Sequence, residues 1–169
     1  ATKIDGTDTL SDIEDATGSA FDDTLTGTSG ANSLAGGAGN DIINAGGGND
    51  TVSGGTGDDT LRGGAGVDTL DYSKASGGQV VNLVTGVATG ADGTDDISGF
   101  ENVIGSAGND DIAGSDGDNV LLGGAGDDTI EGGAGADTLD GGDGIDTISY
   151  EGSDAGVEIY LGDTDANAR

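Results

Sequence analysis

Two stretches of the chain place an oxygen-bearing acid or amide at every ninth residue: Asp23, Asn32, Asp41, Asp50, Asp59 and Asp68, then Asp110, Asn119, Asp128, Asp137 and Asp146. Each stands two residues before an aliphatic side chain, and those between Gly36 and Leu70 each follow a glycine-rich run. The chemistry open to such a set is cation binding through oxygen. The chain has no His and no Cys, which removes the usual nitrogen and sulfur ligands, the commonest general base and any thiol nucleophile. Carboxylates and main-chain carbonyls suit a hard cation, calcium first and magnesium well behind.

Other chemistries fit the same residues less well. The doublets Asp22-Asp23, Asp58-Asp59 and Asp127-Asp128 resemble the carboxylate pairs of glycosidases, but the second member of each already holds the periodic position, so no enzyme activity is expected. Ser73 and Lys74 are sequence neighbours that an extended chain points to opposite faces, which argues against a Ser-Lys nucleophile. The runs GGAGND and GGGND are followed by no G-K-[ST], no helical pattern and no positive charge, so they are not phosphate loops. The fragment DGDN near Asp116 lacks the distal Glu of a helical calcium loop.

Charge narrows the partners. With 33 acids against four bases, the formal charge is -29, and nucleic acid or an anionic membrane surface would be repelled. No apolar run approaches the roughly 18 residues of a membrane span, and no signal peptide is present. A chain without Met is expected to be a piece of something longer. Abundant Gly, Asp and Ser with few aromatics is also the composition of a disordered linker. The total absence of Pro and the fixed spacing of the glycines and acids argue for order instead.

The elements that must position these residues follow from the period. Reading in nines from Gly18 gives six units ending at Asp71, and from Gly105 five units ending at Ser149. A longer period encloses them: DGTDTLSDIEDATGSAFDDTLTG from Asp5 aligns with DGTDDISGFENVIGSAGNDDIAG from Asp92. Fixed-period self-similarity predicts a solenoid in which each unit buries its apolar face against its neighbours. Nine residues divide into a tight turn of six and a strand of three. Glycines at places one, two and four supply positive φ or close approach, and the aliphatic residue at place eight points inward. Two units make a coil of eighteen residues, so residues eighteen apart stack at about 4.8 Å. Two carboxylates about 5 Å apart repel by roughly 3 kcal/mol at an effective dielectric of about 20. A cation between stacked turns converts that repulsion to attraction, and its binding becomes folding free energy.

The segmentation expected is a spacer half or N-terminal cap over 1–17, a first block over 18–71, an irregular spacer over 72–104, a second block over 105–149, and the first half of a further spacer over 150–169. Phe21, Phe100, Tyr72, Tyr150 and Tyr160 are expected in core or cap positions, and Arg62 and Lys74 as solvated charges.

Units starting at Gly36, Gly54, Gly63, Gly123, Gly132 and Gly141 carry the full pattern G-G-x-G-x-D-x-U-x. That at Ala45 differs in its first residue, and those at Gly18, Gly27, Gly105 and Gly114 are degenerate. The pattern resembles the calcium-binding repeat of RTX (repeats-in-toxin) proteins. The segment DYSKASGGQVVNLVTGVATGADGTDDISGFENVIGSAGND resembles the spacers between RTX blocks. Together the likeness covers nearly the whole chain.

The resemblance implies an all-β fold, a right-handed parallel β-roll solenoid of 18-residue coils in two tandem blocks. It implies calcium in the turns, held by sixth-place side chains of adjacent coils: Asp23 with Asp41, Asp41 with Asp59, Asn32 with Asp50, Asp50 with Asp68, Asp110 with Asp128, Asp128 with Asp146, and Asn119 with Asp137. Turn carbonyls of Gly37, Gly39, Gly46, Gly48, Gly55, Gly57, Gly64 and Gly66 would complete the first block's sites, and those of Gly124, Gly126, Gly133, Gly135, Gly142 and Gly144 the second's. A half-coil at GFENVI would return Asp95 to the side of Asp110 and, by the longer period, Asp8 to the side of Asp23, for about seven to nine ions in all. Sites containing Asn32 or Asn119 would be the weaker ones. The role implied is a calcium-binding structural module of a secreted or cell-surface protein. The alternative is a calcium-dependent carbohydrate-binding or targeting module of a secreted enzyme or adhesin. Neighbouring copies of the chain or an acidic polysaccharide are the further partners to expect.

Overall fold

A computed structural model describes residues 12–153 and 156. Sixteen strands and no helix are present among them. A seven-stranded sheet runs β1 (Asp15–Thr17), β3 (Ser33–Ala38), β5 (Thr51–Thr56), β7 (Thr69–Asp71), β11 (Asn102–Ile104), β13 (Val120–Ala125), β15 (Thr138–Asp143), in that spatial order. A nine-stranded sheet faces it. Its members in chain order are β2 (Thr24–Thr26), β4 (Ile42–Gly47), β6 (Thr60–Ala65), β8 (Gln79–Asn82), β9 (Val87–Gly90), β10 (Gly93–Ser98), β12 (Asp111–Ala113), β14 (Thr129–Glu131) and β16 (Thr147–Ile148).

Within the blocks, successive strands alternate between the sheets, and partners in one sheet lie eighteen residues apart in parallel register, as in Leu34 beside Val52 or Ile43 beside Leu61. This is a β-solenoid of the β-roll kind. The core is one row of aliphatic side chains per sheet, with Ile43, Val52, Leu61, Leu70, Ile112, Leu121 and Ile130 fully buried between them.

Strand length differs from the expected three residues. Strands β3, β4, β5, β6, β13 and β15 each run six residues, from place seven of one unit to place three of the next. The small residues at place one and the glycines at place two carry no bulky side chain that would break the ladder, so Gly37 pairs with Gly55 and Gly46 with Gly64. Alternation of faces along an extended chain then explains the pattern: in β5 and β6 the inward positions are the aliphatic residue at place eight and the glycine at place one.

The spacer is woven into both sheets. Strand β11 lies between β7 and β13, with Val103 between Leu70 and Leu121. On the other side β8, β9 and β10 form an antiparallel meander, in which β10 pairs in parallel with β6 and β8 with β12. Val81, Ala88, Ile97 and Val103 extend the aliphatic row through it, and Tyr72 and Phe100 are buried against that row. Phe21 and Tyr150 are instead exposed. Phe21 occupies the fourth place of a turn, and in such a tight corner a large side chain has only solvent to enter. Tyr160 lies outside the described residues. Arg62 and Lys74 are both exposed, as expected of solvated charges.

Candidate metal centre

The period of two that buries the place-eight aliphatic also turns the sixth-place side chain inward. Asp41, Asp50, Asp59, Asp68, Asp110 and Asp128 are all buried, with Asn32 and Asn119 beside them; Asp23, Asp137 and Asp146 are half-buried. Asp41, Asp50, Asp59, Asp68 and Asp128 each accept, through Oδ1, the main-chain N–H of the sixth-place residue one coil earlier. Asp41 donates to Asp59 at 2.8 Å, Asp50 to Asp68 at 2.8 Å and Asp110 to Asp128 at 2.8 Å. The same contact joins Asp23 to Asp41, Asn32 to Asp50, Asn119 to Asp137 and Asp128 to Asp146. All seven pairs expected from the sequence are therefore brought together.

The second oxygen is different. Among the described residues, Oδ2 of Asp41, Asp50, Asp59, Asp68 and Asp128 is buried with no hydrogen-bond donor. A buried, unpaired carboxylate oxygen costs several kcal/mol unless something positive meets it. Burial raises the pKa of Asp41, Asp59, Asp68 and Asp128 above the ordinary carboxylate range, with Asp59 at about 6. The N–H bond from the earlier coil works against that rise, and the stacked neighbouring acids add to it.

Bare glycine lets further oxygen approach. A Cβ on Gly36 would collide at once with Asp41 Oδ2 and the Gly54 carbonyl, one on Gly123 with Asp128 Oδ2 and the Gly141 carbonyl, and one on Gly63 with the Gly99 carbonyl and Asp68 Oδ2. Beside Asp41, Asp128 and Asp68 the carbonyl that shares this space with the orphaned oxygen is that of Gly54, Gly141 and Gly99, the first two at place one of the next coil, a position the sequence reading passed over in favour of places two and four. Glycines at those two places instead take positive φ, for example 104° at Gly55 and 130° at Gly57. Among the described residues no three acidic side chains converge on one point; the donor set of each turn is carboxylate plus carbonyl. That set of hard oxygens, turned inward with no donor, fits a calcium ion.

The spacer acids fall differently from expectation. Asp95 does not reach Asp110. Its Oδ1 accepts the Asp59 N–H at 3.0 Å, and the acceptor role of Asp110 toward the earlier coil is met by the Gln79 N–H at 2.6 Å. The cause is the meander: tight reversals after β8 and β9 fold the chain back toward the first block, so β10 lands on β6. Asp8 lies outside the described residues.

Two participants escaped the sequence reading. Glu101 occupies a sixth-place position outside the frame of nines, accepting the Asp68 N–H through Oε2 at 2.9 Å, while its carbonyl takes the Asn119 amide at 2.7 Å. Place five forms a second ladder, running the opposite way: Asn40 donates its N–H to Asp22 at 2.8 Å, Asp58 to Asn40 at 3.1 Å and Thr94 to Asp58 at 2.9 Å. The signal for it was the recurring N-D or D-D doublet.

Parallel coils, inward carboxylates and glycine corners open to oxygen define a calcium-binding β-roll. A family model described as the RTX calcium-binding nonapeptide repeat matches the chain in four copies, over residues 17–52, 45–74, 97–129 and 113–148. These copies cover well over half the sequence, and the chain belongs to that family. No curated relative matches it.

Proposed function

We propose that this chain is a calcium-operated structural module of a secreted or cell-surface protein, an expanded polyanion where calcium is scarce and a closed roll where calcium is abundant. The observation that carries the reading is the set of five buried aspartate oxygens without a donor in a chain of net charge -29. At neutral pH an external cation is needed to neutralise them, since the two bases among the described residues, Arg62 and Lys74, are exposed. Ion binding to the folded state alone then stabilises it by mass action. Site affinities in the range of extracellular calcium modules, about 10⁻⁴ to 10⁻³ M, leave the chain open inside a cell and closed outside. The geometry supports binding and shape.

Small-angle scattering and circular dichroism against calcium test this. Between zero and about 10 mM calcium, the radius of gyration is expected to fall from roughly 40 Å to below about 20 Å, with a gain of β signal. Curves that do not change over that range would remove the switch.

A further inference from the structure

We infer that the residue at place two decides whether a turn takes an ion, and that four turns of this chain are closed by their own hydroxyl residues and take none. This rests on the calcium reading above and divides its sites into two kinds.

In the units that begin Gly-Gly or Ala-Gly, place two has positive φ: 115° at Gly37, 105° at Gly46, 114° at Gly64 and 114° at Gly124. The five orphaned Oδ2 atoms all belong to such units. In the units that begin Gly-Ser or Gly-Thr, place two is Ser19, Thr28, Ser106 or Ser115. The one non-glycine residue with positive φ among the described residues is Asp12, so these four have ordinary φ. Their N–H then points at the sixth-place side chain of the same unit. Ser19 donates its N–H to Asp23 Oδ2 at 2.5 Å and its hydroxyl to the same atom at 2.9 Å. Ser106 donates its N–H to Asp110 Oδ2 at 2.6 Å and its hydroxyl to Oδ1 at 2.9 Å. Thr28 and Ser115 do the same to Oδ1 of Asn32 and Asn119, with N–H distances of 2.7 Å in both.

Two hydrogens aimed at one side chain occupy lone pairs that would otherwise face the turn and oppose a cation with their own partial positive charge. A hydroxyl can rotate to offer oxygen to an ion, but the main-chain N–H can turn away only if place two adopts positive φ, which costs a side-chain-bearing residue roughly 1–2 kcal/mol. The amides of Asn32 and Asn119 are spent as well, donating to the carbonyls of Glu14 and Glu101. Each block opens with two such units, so each begins on a coil that closes without metal, and the ions belong to the Gly-Gly turns that follow.

Native mass spectrometry of the full chain at saturating calcium counts the ions in the wild type, Ser106→Gly and Ser106→Ala. Ser106→Gly frees the N–H to turn away and is expected to bind one ion more than the wild type; Ser106→Ala keeps the N–H in place and is expected to bind the wild-type number. An unchanged count in Ser106→Gly, or a gained ion in Ser106→Ala, would overturn the role given to the place-two N–H. Gly124→Ser gives an independent reading should loss of the hydroxyl unsettle the coil: one ion fewer is expected, and an unchanged count would overturn the inference. A wild-type chain that binds no calcium at all would overturn the calcium reading itself, a result distinct from binding that is indifferent to place two.

Discussion

Asp41, Asp50, Asp59, Asp68 and Asp128 each divide their oxygens between two tasks, Oδ1 receiving the N–H of the coil before it and Oδ2 facing the turn. Asp59→Asn removes the charged oxygen while keeping the shape, and should raise the calcium midpoint of folding about tenfold, near 1.4 kcal/mol. Asp58→Asn retains the Oδ1 that takes the Thr94 N–H on an exposed side chain, and should shift stability by no more than about 0.5 kcal/mol; dichroism titrations of the two variants compare them directly. Acid should partly replace the ion. The pKa values of Asp41, Asp59, Asp68 and Asp128 are raised by burial, Asp59 to about 6, so the folded chain binds more protons than the unfolded one between the ordinary aspartate pKa and that value. Stability of the calcium-free fold therefore rises as pH falls through about 6, and is lost again as pH rises. Resin-stripped protein followed by dichroism from pH 7 to pH 5 should gain β signal; a flat profile would contradict the sign. Place six was legible because its residue type repeats without interruption by apolar residues. Place five was not, because Ala31, Val67, Ala136 and Ile145 interrupt it and its work is done for a coil eighteen residues away.

Among the strands, the glycines separate into those that geometry demands and those it tolerates. Gly55 sits at φ 104° and its missing Cβ would strike the Gly37 carbonyl, whereas Gly47 has no positive φ and the nearest atom to its missing Cβ is 3.7 Å away. Gly55→Ala should cost about 2 kcal/mol or more, and Gly47→Ala should fall within about 0.5 kcal/mol of the wild type, as read from thermal melts in calcium. Inside the blocks the ladders could be read from the sequence, since Leu34, Val52 and Leu70 recur at the spacing of one coil. The extension of six strands through their glycines could not, because glycine has weak strand preference and only the stacked neighbour holds it extended. The spacer was harder still. Its β-branched pairs at Val80-Val81 and around Val87 signal strands without naming partners, and the partner that β10 finds, β6, precedes it by more than thirty residues.

At the scale of the whole molecule, the seven-stranded sheet passes without a gap from β7 through β11 to β13, so the two blocks share one ladder. Neighbour coupling of that kind makes a solenoid unfold as a unit. Calorimetry in calcium should show one transition for the wild type and two for Val103→Asp, which sets an unpaired charge between Leu70 and Leu121; two transitions in the wild type would mean that the blocks melt independently. The tandem repetition was visible in the longer sequence period, but the unequal strand count was not, since it depends on the spacer folding back on itself. That inequality has a geometric consequence. One wall of the roll carries nine strands and the other seven, and two additional strands at about 4.8 Å lengthen that wall by about 10 Å. The extra length falls wholly at the spacer, where β8 and β9 stand between β10 and β12 in the longer wall while β7 and β11 are adjacent in the shorter one.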